Sequence, residues 1–314
     1  MIEVHGLTKQ YGKVRAVDDL SFTVRPGIIT GFLGPNGAGK STTMRMIMGL
    51  DRPTQGTALI DGVPYTSLKR PLSKIGALLD AKAVHPNRSA RNHLRWIAQS
   101  NGIPNSRVDE VLSLVGLTEV AKKKAGGFSL GMGQRLGLAT ALLGDPEILL
   151  LDEPVNGLDP EGIHWVRELL RALAAEGRTI FVSSHLLSEM SQTADHLVVI
   201  GQGKLIADES TYDFIKHNSA ATVVVRTNDN DVLEASLVQE GKVVRRQADA
   251  EGRESLLIAD ATTDEVGTIA FSYGVCVHEL SLQRASLEQA FMEMTGHAVQ
   301  YHATVAGAKE ADHA

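Results

Sequence analysis

The chain has little sulfur to work with: one cysteine, Cys276, in 314 residues. A single thiol excludes an internal disulfide framework and suits a reducing compartment. Because Cys276 sits in the apolar run Val275-Cys276-Val277, it is expected to be buried and inert. Long hydrophobic runs are missing too. The longest, such as Ile148-Leu149-Leu150-Leu151, have the length of a buried strand, far short of the ~20 apolar residues a membrane helix needs. The first residues, Met1-Ile2-Glu3-Val4-His5, lack the basic and apolar regions of a signal peptide. The chain is therefore not expected to cross a membrane, and any membrane role must come through a partner. Finally, there is no basic excess. Lys and Arg number 31 against 37 Asp and Glu, a net charge of −6, which disfavours nucleic acid as a partner. Lys122-Lys123-Lys124 reads as a solvated helix end.

What is present is an ordinary globular composition, 43% hydrophobic and 22% charged, at a length that suggests about two domains. Against that background one stretch stands out. Gly34-Pro35-Asn36-Gly37-Ala38-Gly39-Lys40-Ser41-Thr42 has the form G-x-x-x-x-G-K-[ST]. Its glycines let the backbone approach phosphates closely, and the free N–H groups and positive end of the following helix face the anion. Lys40 can reach the β- and γ-phosphates, and the Ser41 hydroxyl can ligate Mg²⁺. The flanks fit: a strand-like apolar run over Ile28–Leu33 precedes the loop, and a helical stretch over Ser41–Met48 follows it. This pattern predicts binding of a nucleoside triphosphate.

Up to about Ser210, short β-rich runs alternate with helical stretches, as in a nucleotide-binding α/β core. Strands are expected at Ile28–Leu33, Ile75–Leu79, Ile148–Leu151, Thr179–Ser183 and His196–Ile200. Between the second and third lies a helical insertion, with apolar spacing of three and four over Asn92–Ser100, Arg107–Val115 and Gly133–Leu143. After His217-Asn218-Ser219 a second unit begins. Its order is strand Thr222–Arg226, helix Asp231–Glu240, strands Lys242–Arg246 and Ser255–Ile258, helix Thr263–Tyr273 and strand Val275–Leu280. That βαββαβ order predicts a ferredoxin-like α+β unit, without an evident catalytic constellation, suited to packing or dimerisation. A closing helix over 286–295 is expected, with Phe291, Met292 and Met294 as core contacts, followed by a disordered tail over 299–314.

A phosphate loop alone implies binding, not hydrolysis. Downstream, the buried run Ile148–Leu151 ends in Asp152-Glu153-Pro154, which places two acids at the carboxyl end of a strand, where ligands sit in open α/β sheets. Asp152 would hold Mg²⁺ directly or through water, and Glu153 could orient and deprotonate an attacking water.

With these motifs in this order, the first 215 residues resemble the ATP-binding subunits of ATP-binding cassette (ABC) transporters. The resemblance implies a P-loop NTPase core with an antiparallel β subdomain and a helical subdomain over about 82–144, within an ATP-binding domain over 1–217 and ahead of the accessory unit over 218–298. It makes Gly34–Thr42 the Walker A loop, Leu149–Glu153 the Walker B strand with the catalytic glutamate, and Asn156-Gly157-Leu158-Asp159 the D-loop. Tyr11 falls where the family stacks an aromatic on adenine, and Ser183-Ser184-His185 matches the switch histidine, which contacts the γ-phosphate. Two positions depart from the pattern. The signature, usually Leu-Ser-Gly-Gly-Gln, reads Phe128-Ser129-Leu130-Gly131-Met132; Ser129 and Gly131 keep a hydroxyl and a close N–H for ATP. At the Q-loop, Asp80 replaces glutamine: either it still offers a hard oxygen to Mg²⁺ or water, or it lies outside the metal's ligands and shapes the loop that meets the membrane partner.

Since the family's signature completes the ATP site of a second copy, the resemblance implies a head-to-tail homodimer around two ATP, with Mg²⁺ as cofactor. It further implies ATP hydrolysis powering a separately encoded membrane permease, with the chain peripheral on the cytoplasmic face. The Arg91-Asn92-His93-Leu94 element and the stretch Ser286-Leu287-Glu288-Gln289-Ala290-Phe291 resemble the drug- and antibiotic-resistance exporters of the superfamily. The alternative is a soluble ATP-dependent binding or regulatory factor. Against it stand the single cassette, the acidic charge, and the presence of Glu153 and His185.

Overall fold

The computed structural model describes residues 1–81, 83–218, 221–248, 252–284 and 291. They form two compact units, Met1–Thr211 and Tyr212–Glu293, each treated by itself below.

The first unit opens with β1 (Ile2–Tyr11), β2 (Val14–Val24), β3 (Ile29–Leu33), α1 (Lys40–Ile47) and β4 (Gln55–Ile60). Next come α2 (Pro71–Lys74), β5 (Ile75–Leu78), α3 (Ala90–Ser100), α4 (Asn105–Leu114) and α5 (Leu130–Leu142). It closes with β6 (Ile148–Asp152), α6 (Pro160–Ala175), β7 (Thr179–Ser184), α7 (Leu187–Thr193), β8 (His196–Gly201) and β9 (Lys204–Ser210). A six-stranded sheet of order β5-β6-β7-β3-β8-β9 is parallel except at its β8–β9 edge. Strands β3 and β7 and the first four residues of β6 are buried throughout, because a parallel sheet packed on both faces permits continuous apolar runs. β3 lies between β7 and β8, so the loop leaving it emerges at the carboxyl edge in mid-sheet.

A second sheet, β2-β1-β4, is antiparallel. Its hairpin breaks strict alternation: inward positions run Ile2, Val4, then Leu7, a slip at Gly6 that coincides with irregular register against β2. Phe22 of β2, Phe32 of β3 and Phe181 of β7 meet with ring centroids 5.1–5.5 Å apart and join the two sheets through one core.

Helices α3, α4 and α5 form the expected helical insertion. Each starts two or three residues earlier than its apolar spacing suggests. For α5 the difference matters. Ser129 is the N-cap, its hydroxyl accepting from Met132 N–H at 3.2 Å, so Leu130–Met132 form the first turn. Gly131 and Gly133, poor helix formers, conceal that start.

Helix α8 (Thr211–Asn218) starts on the last residue of the first unit, and the second unit continues with β10 (Ala221–Thr227), α9 (Asn230–Gln239), β11 (Val244–Ala248), β12 (Glu254–Ala259), α10 (Thr263–Ser272) and β13 (Val277–Arg284). The antiparallel order β11-β12-β10-β13 is ferredoxin-like. Val223, Val225, Leu256 and Ile258 pack against Leu233, Leu237 and Val266 of the helices. One expectation fails here: Cys276 is exposed. The strand begins at Val277, so Cys276 lies in the connection before it and exchanges hydrogen bonds with Asn228, while Val275 enters the core and Val277 packs partly buried against it. Of the closing helix over 286–295, only Phe291 is among the described residues, and it is buried; Met292, Met294 and the tail lie outside them. No helix among the described residues is long and apolar enough to cross a membrane.

Candidate functional site

The loop Pro35–Thr42 lines a cavity of about 400 Å³ with Ala16, Glu153, Asn156 and His185. Gly39 is the N-cap of α1 at φ 105°, a left-handed conformation in which a Cβ would also lie 2.5 Å from the Ala16 carbonyl oxygen. The glycine thus aims the free N–H groups of α1 into the cavity, where helix-dipole and amide attraction both favour an anion.

Lys40 is only 6% exposed. Its ammonium donates to the carbonyls of Gly34 (2.7 Å) and Pro35 (3.4 Å) and lies 3.7 Å from Glu153 Oε1. Burial draws its pKa below the ordinary lysine value, and the charges of Glu153 and Asp152 oppose that shift. A phosphate arriving here would supply the negative charge that a buried ammonium needs.

Glu153 sits at φ 50°, a left-handed conformation costing a non-glycine residue about 1–3 kcal/mol. The surroundings hold it at both backbone ends. Its N–H donates to Ser183 Oγ at 3.0 Å, and its carbonyl accepts from Gln134 Nε2 at 3.0 Å. The carboxylate is equally engaged: Oε2 meets His185 Nδ1 at 2.7 Å and accepts from Asn156 Nδ2 at 3.0 Å. Ser183 Oγ also donates to Asp152, at the end of β6. Ser41 is exposed in the first turn of α1. One hydroxyl and one carboxylate suit Mg²⁺, which binds through one or two protein oxygens and takes the rest from phosphates and water.

The structure thus gathers Pro35–Thr42, Glu153 and His185 around one cavity, with Asp152 outside its lining and linked to Glu153 through Ser183. It does not bring in four others. Tyr11 is 48% exposed at the end of β1, its hydroxyl on Asp51 (3.2 Å) and Lys9 over its ring (4.9 Å). Asp80 is exposed after β5 and does not line the cavity. Ser129 and Gly131 lie at the start of α5, also outside it. Gln134 is the residue that sequence reasoning overlooks. It is 4% exposed, and its contact with Glu153 spans 19 positions, although a buried amide two residues past the signature stretch is a signal of a polar tie.

A doubly flanked parallel sheet with this phosphate cavity at its carboxyl edge defines a P-loop nucleotide hydrolase. Residues 17–156 match a family described as ABC transporter, and residues 221–288 match a domain of unknown function. The bacitracin transport ATP-binding protein BcrA of Bacillus licheniformis is 38% identical over 299 residues, covering 94% of this chain and 97% of that protein. The lantibiotic transport ATP-binding protein SrtF of Streptococcus pyogenes is 38% identical over 213 residues, covering 68% and 92%. An ABC transporter ATP-binding subunit of known structure superposes with a TM-score of 0.63 at 27% identity over 69% of this chain and 92% of its own. A dimeric cassette in a post-hydrolysis state, bound to ADP and phosphate, gives 0.62 at 25% identity, covering 67% and 99%. The chain belongs to the ABC transporter family as an ATP-binding ATPase subunit.

Proposed function

We propose that the chain pairs with a second copy of itself around two ATP molecules and powers a separately encoded membrane permease that exports an antibiotic or other hydrophobic compound. It would sit on the cytoplasmic face, held there by the permease. The observation that carries this reading is the near full-length likeness to a bacitracin transport protein, joined to a cavity that gathers a phosphate loop, a carboxylate and a histidine.

In this reading the N–H groups of Gly37–Thr42 and the Lys40 ammonium bind the phosphates, while Tyr11 offers a stacking surface for the base. Ser41 and Asp152 would hold Mg²⁺, which neutralises phosphate charge when bound. Asp80, outside the cavity, is read as shaping its loop. Glu153 orients and deprotonates the attacking water, and His185 contacts the γ-phosphate from the side of the same carboxylate. Ser129 and Gly131 complete the site of the second copy. ATP favours the closed dimer because it binds that state more tightly, and loss of the γ-phosphate reopens it.

The test is Glu153→Gln. The variant keeps ATP affinity, loses turnover by at least about 100-fold, and accumulates as an ATP-bound dimer in size-exclusion chromatography. Wild-type turnover would remove Glu153 from its role. Co-purification with the permease, followed by transport-substrate stimulation of the ATPase, tests the coupling.

A further inference from the structure

Leu130, the first helical residue of α5, is 56% exposed, yet it makes one close contact that nothing in the reaction scheme uses. A Cβ built on Gly157 would lie 2.2 Å from Leu130 Cδ2 and 2.4 Å from Leu130 Cγ. The leucine branch therefore occupies the space above the Gly157 α-carbon. Gly157 has φ 75°, so backbone and packing both call for glycine there. Nearby, a Cβ on Gly131 would come within 3.2 Å of the Gly157 carbonyl. One turn further along α5, Gln134 donates to the Glu153 carbonyl, and the Arg135 guanidinium covers the Trp165 ring at 5.0 Å. The start of α5 thus meets the 153–165 segment through Leu130, Gln134 and Arg135.

We propose that Leu130 is a positioning residue for Glu153, acting through the 156–157 loop. The route is short. Leu130 sits on Gly157; Gly157 follows Asn156; Asn156 Nδ2 donates to Glu153 Oε2. Glycine at 130 would remove the four side-chain carbons that cap the loop, and the Asn156 amide would lose its fixed distance from the carboxylate. Small displacements of a catalytic group cost rate more than binding. Asn156 lines the cavity from the carboxylate side, while nucleotide affinity rests on Lys40 and the loop of α1.

The inference rests on Glu153 acting as the base, so the experiment measures steady-state ATPase of the full chain for wild type, Glu153→Gln, Leu130→Gly, Leu130→Met, Asn156→Ala, Gly157→Ala and Leu130→Gly/Gly157→Ala. Leu130→Gly is expected to lower kcat about tenfold with KM for ATP within about twofold, and Leu130→Met to restore most of the rate. Asn156→Ala, which leaves the packing in place, should reproduce the kcat loss. Gly157→Ala should cost less in the Leu130→Gly background than in wild type, because the collision with the leucine is gone and only the left-handed strain remains. Wild-type kcat in Leu130→Gly, or an equal cost of Gly157→Ala in both backgrounds, would overturn the proposal while an inactive Glu153→Gln upholds the base. An active Glu153→Gln would instead strike the base itself, and the positioning role with it. Should Leu130→Gly fail to fold, Leu130→Ala, which keeps a good helix former at the start of α5, takes its place with the same expected kcat loss, and wild-type kcat in it overturns the proposal.

Discussion

The two units are built from the same materials, strands and helices around an aliphatic core, but they treat polar groups differently. The first buries Lys40, His93 and Gln134 and holds Glu153 in a left-handed conformation away from any tight hairpin turn. Among the described residues of the second, the buried polar side chains are the hydroxyls of Thr227 and Ser236, each satisfied within a few positions by Asn230 or Val232. Its charges stay near the surface, as where Arg246 meets Asp231, Glu234 and Glu254. A buried ammonium and a strained glutamate cost stability, and they persist where something other than stability keeps them. The contrast places the buried charge and the left-handed glutamate in the first unit, and the second keeps its charges on the surface.

The largest expected effect probes this contrast directly. Lys40→Ala removes a charge that burial disfavours, and ATP affinity should fall about 100-fold, roughly 3 kcal/mol, in a fluorescent-nucleotide titration. Unchanged affinity would deprive the buried ammonium of its purpose. In the second unit Ile258→Ala should destabilise by about 2–5 kcal/mol in denaturant unfolding, with ATP affinity within about twofold of wild type. A matching loss of affinity would end the division of labour. The smallest effect concerns Cys276. Because it is exposed, it should react with a maleimide in native buffer, and Cys276→Ser should shift stability by less than about 0.5 kcal/mol. A thiol that labels only in denaturant would contradict its position in the connection before β13.

What could be read from the residues divides along a physical line. Buried parallel strands are continuous apolar runs, so β3 and β6 are plain in the sequence, and the phosphate loop has a fixed spacing because its job is done by backbone. The second unit is legible because its strands and helices alternate between clear turns. The β1–β2 hairpin is not, since the slip at Gly6 moves inward positions from even to odd and erases the period of two. Within the site, Glu153 and His185 announce themselves by position after strands. The ties that hold Glu153 do not: Gln134 and Ser183 lie 19 and 30 residues away, and no local pattern encodes a contact of that separation. Cys276 was legible only as an apolar neighbour, because its exposure depends on where a strand begins.

The three-ring cluster of Phe22, Phe32 and Phe181 has a mechanical consequence. It puts one ring from the hairpin sheet among rings from the strands that lead into the phosphate loop and His185. For the hairpin to peel away from the six-stranded sheet, Phe22 would have to leave both of the other rings. Tyr11, at the end of β1, and Lys40, just past β3, therefore sit on elements that share one hydrophobic core.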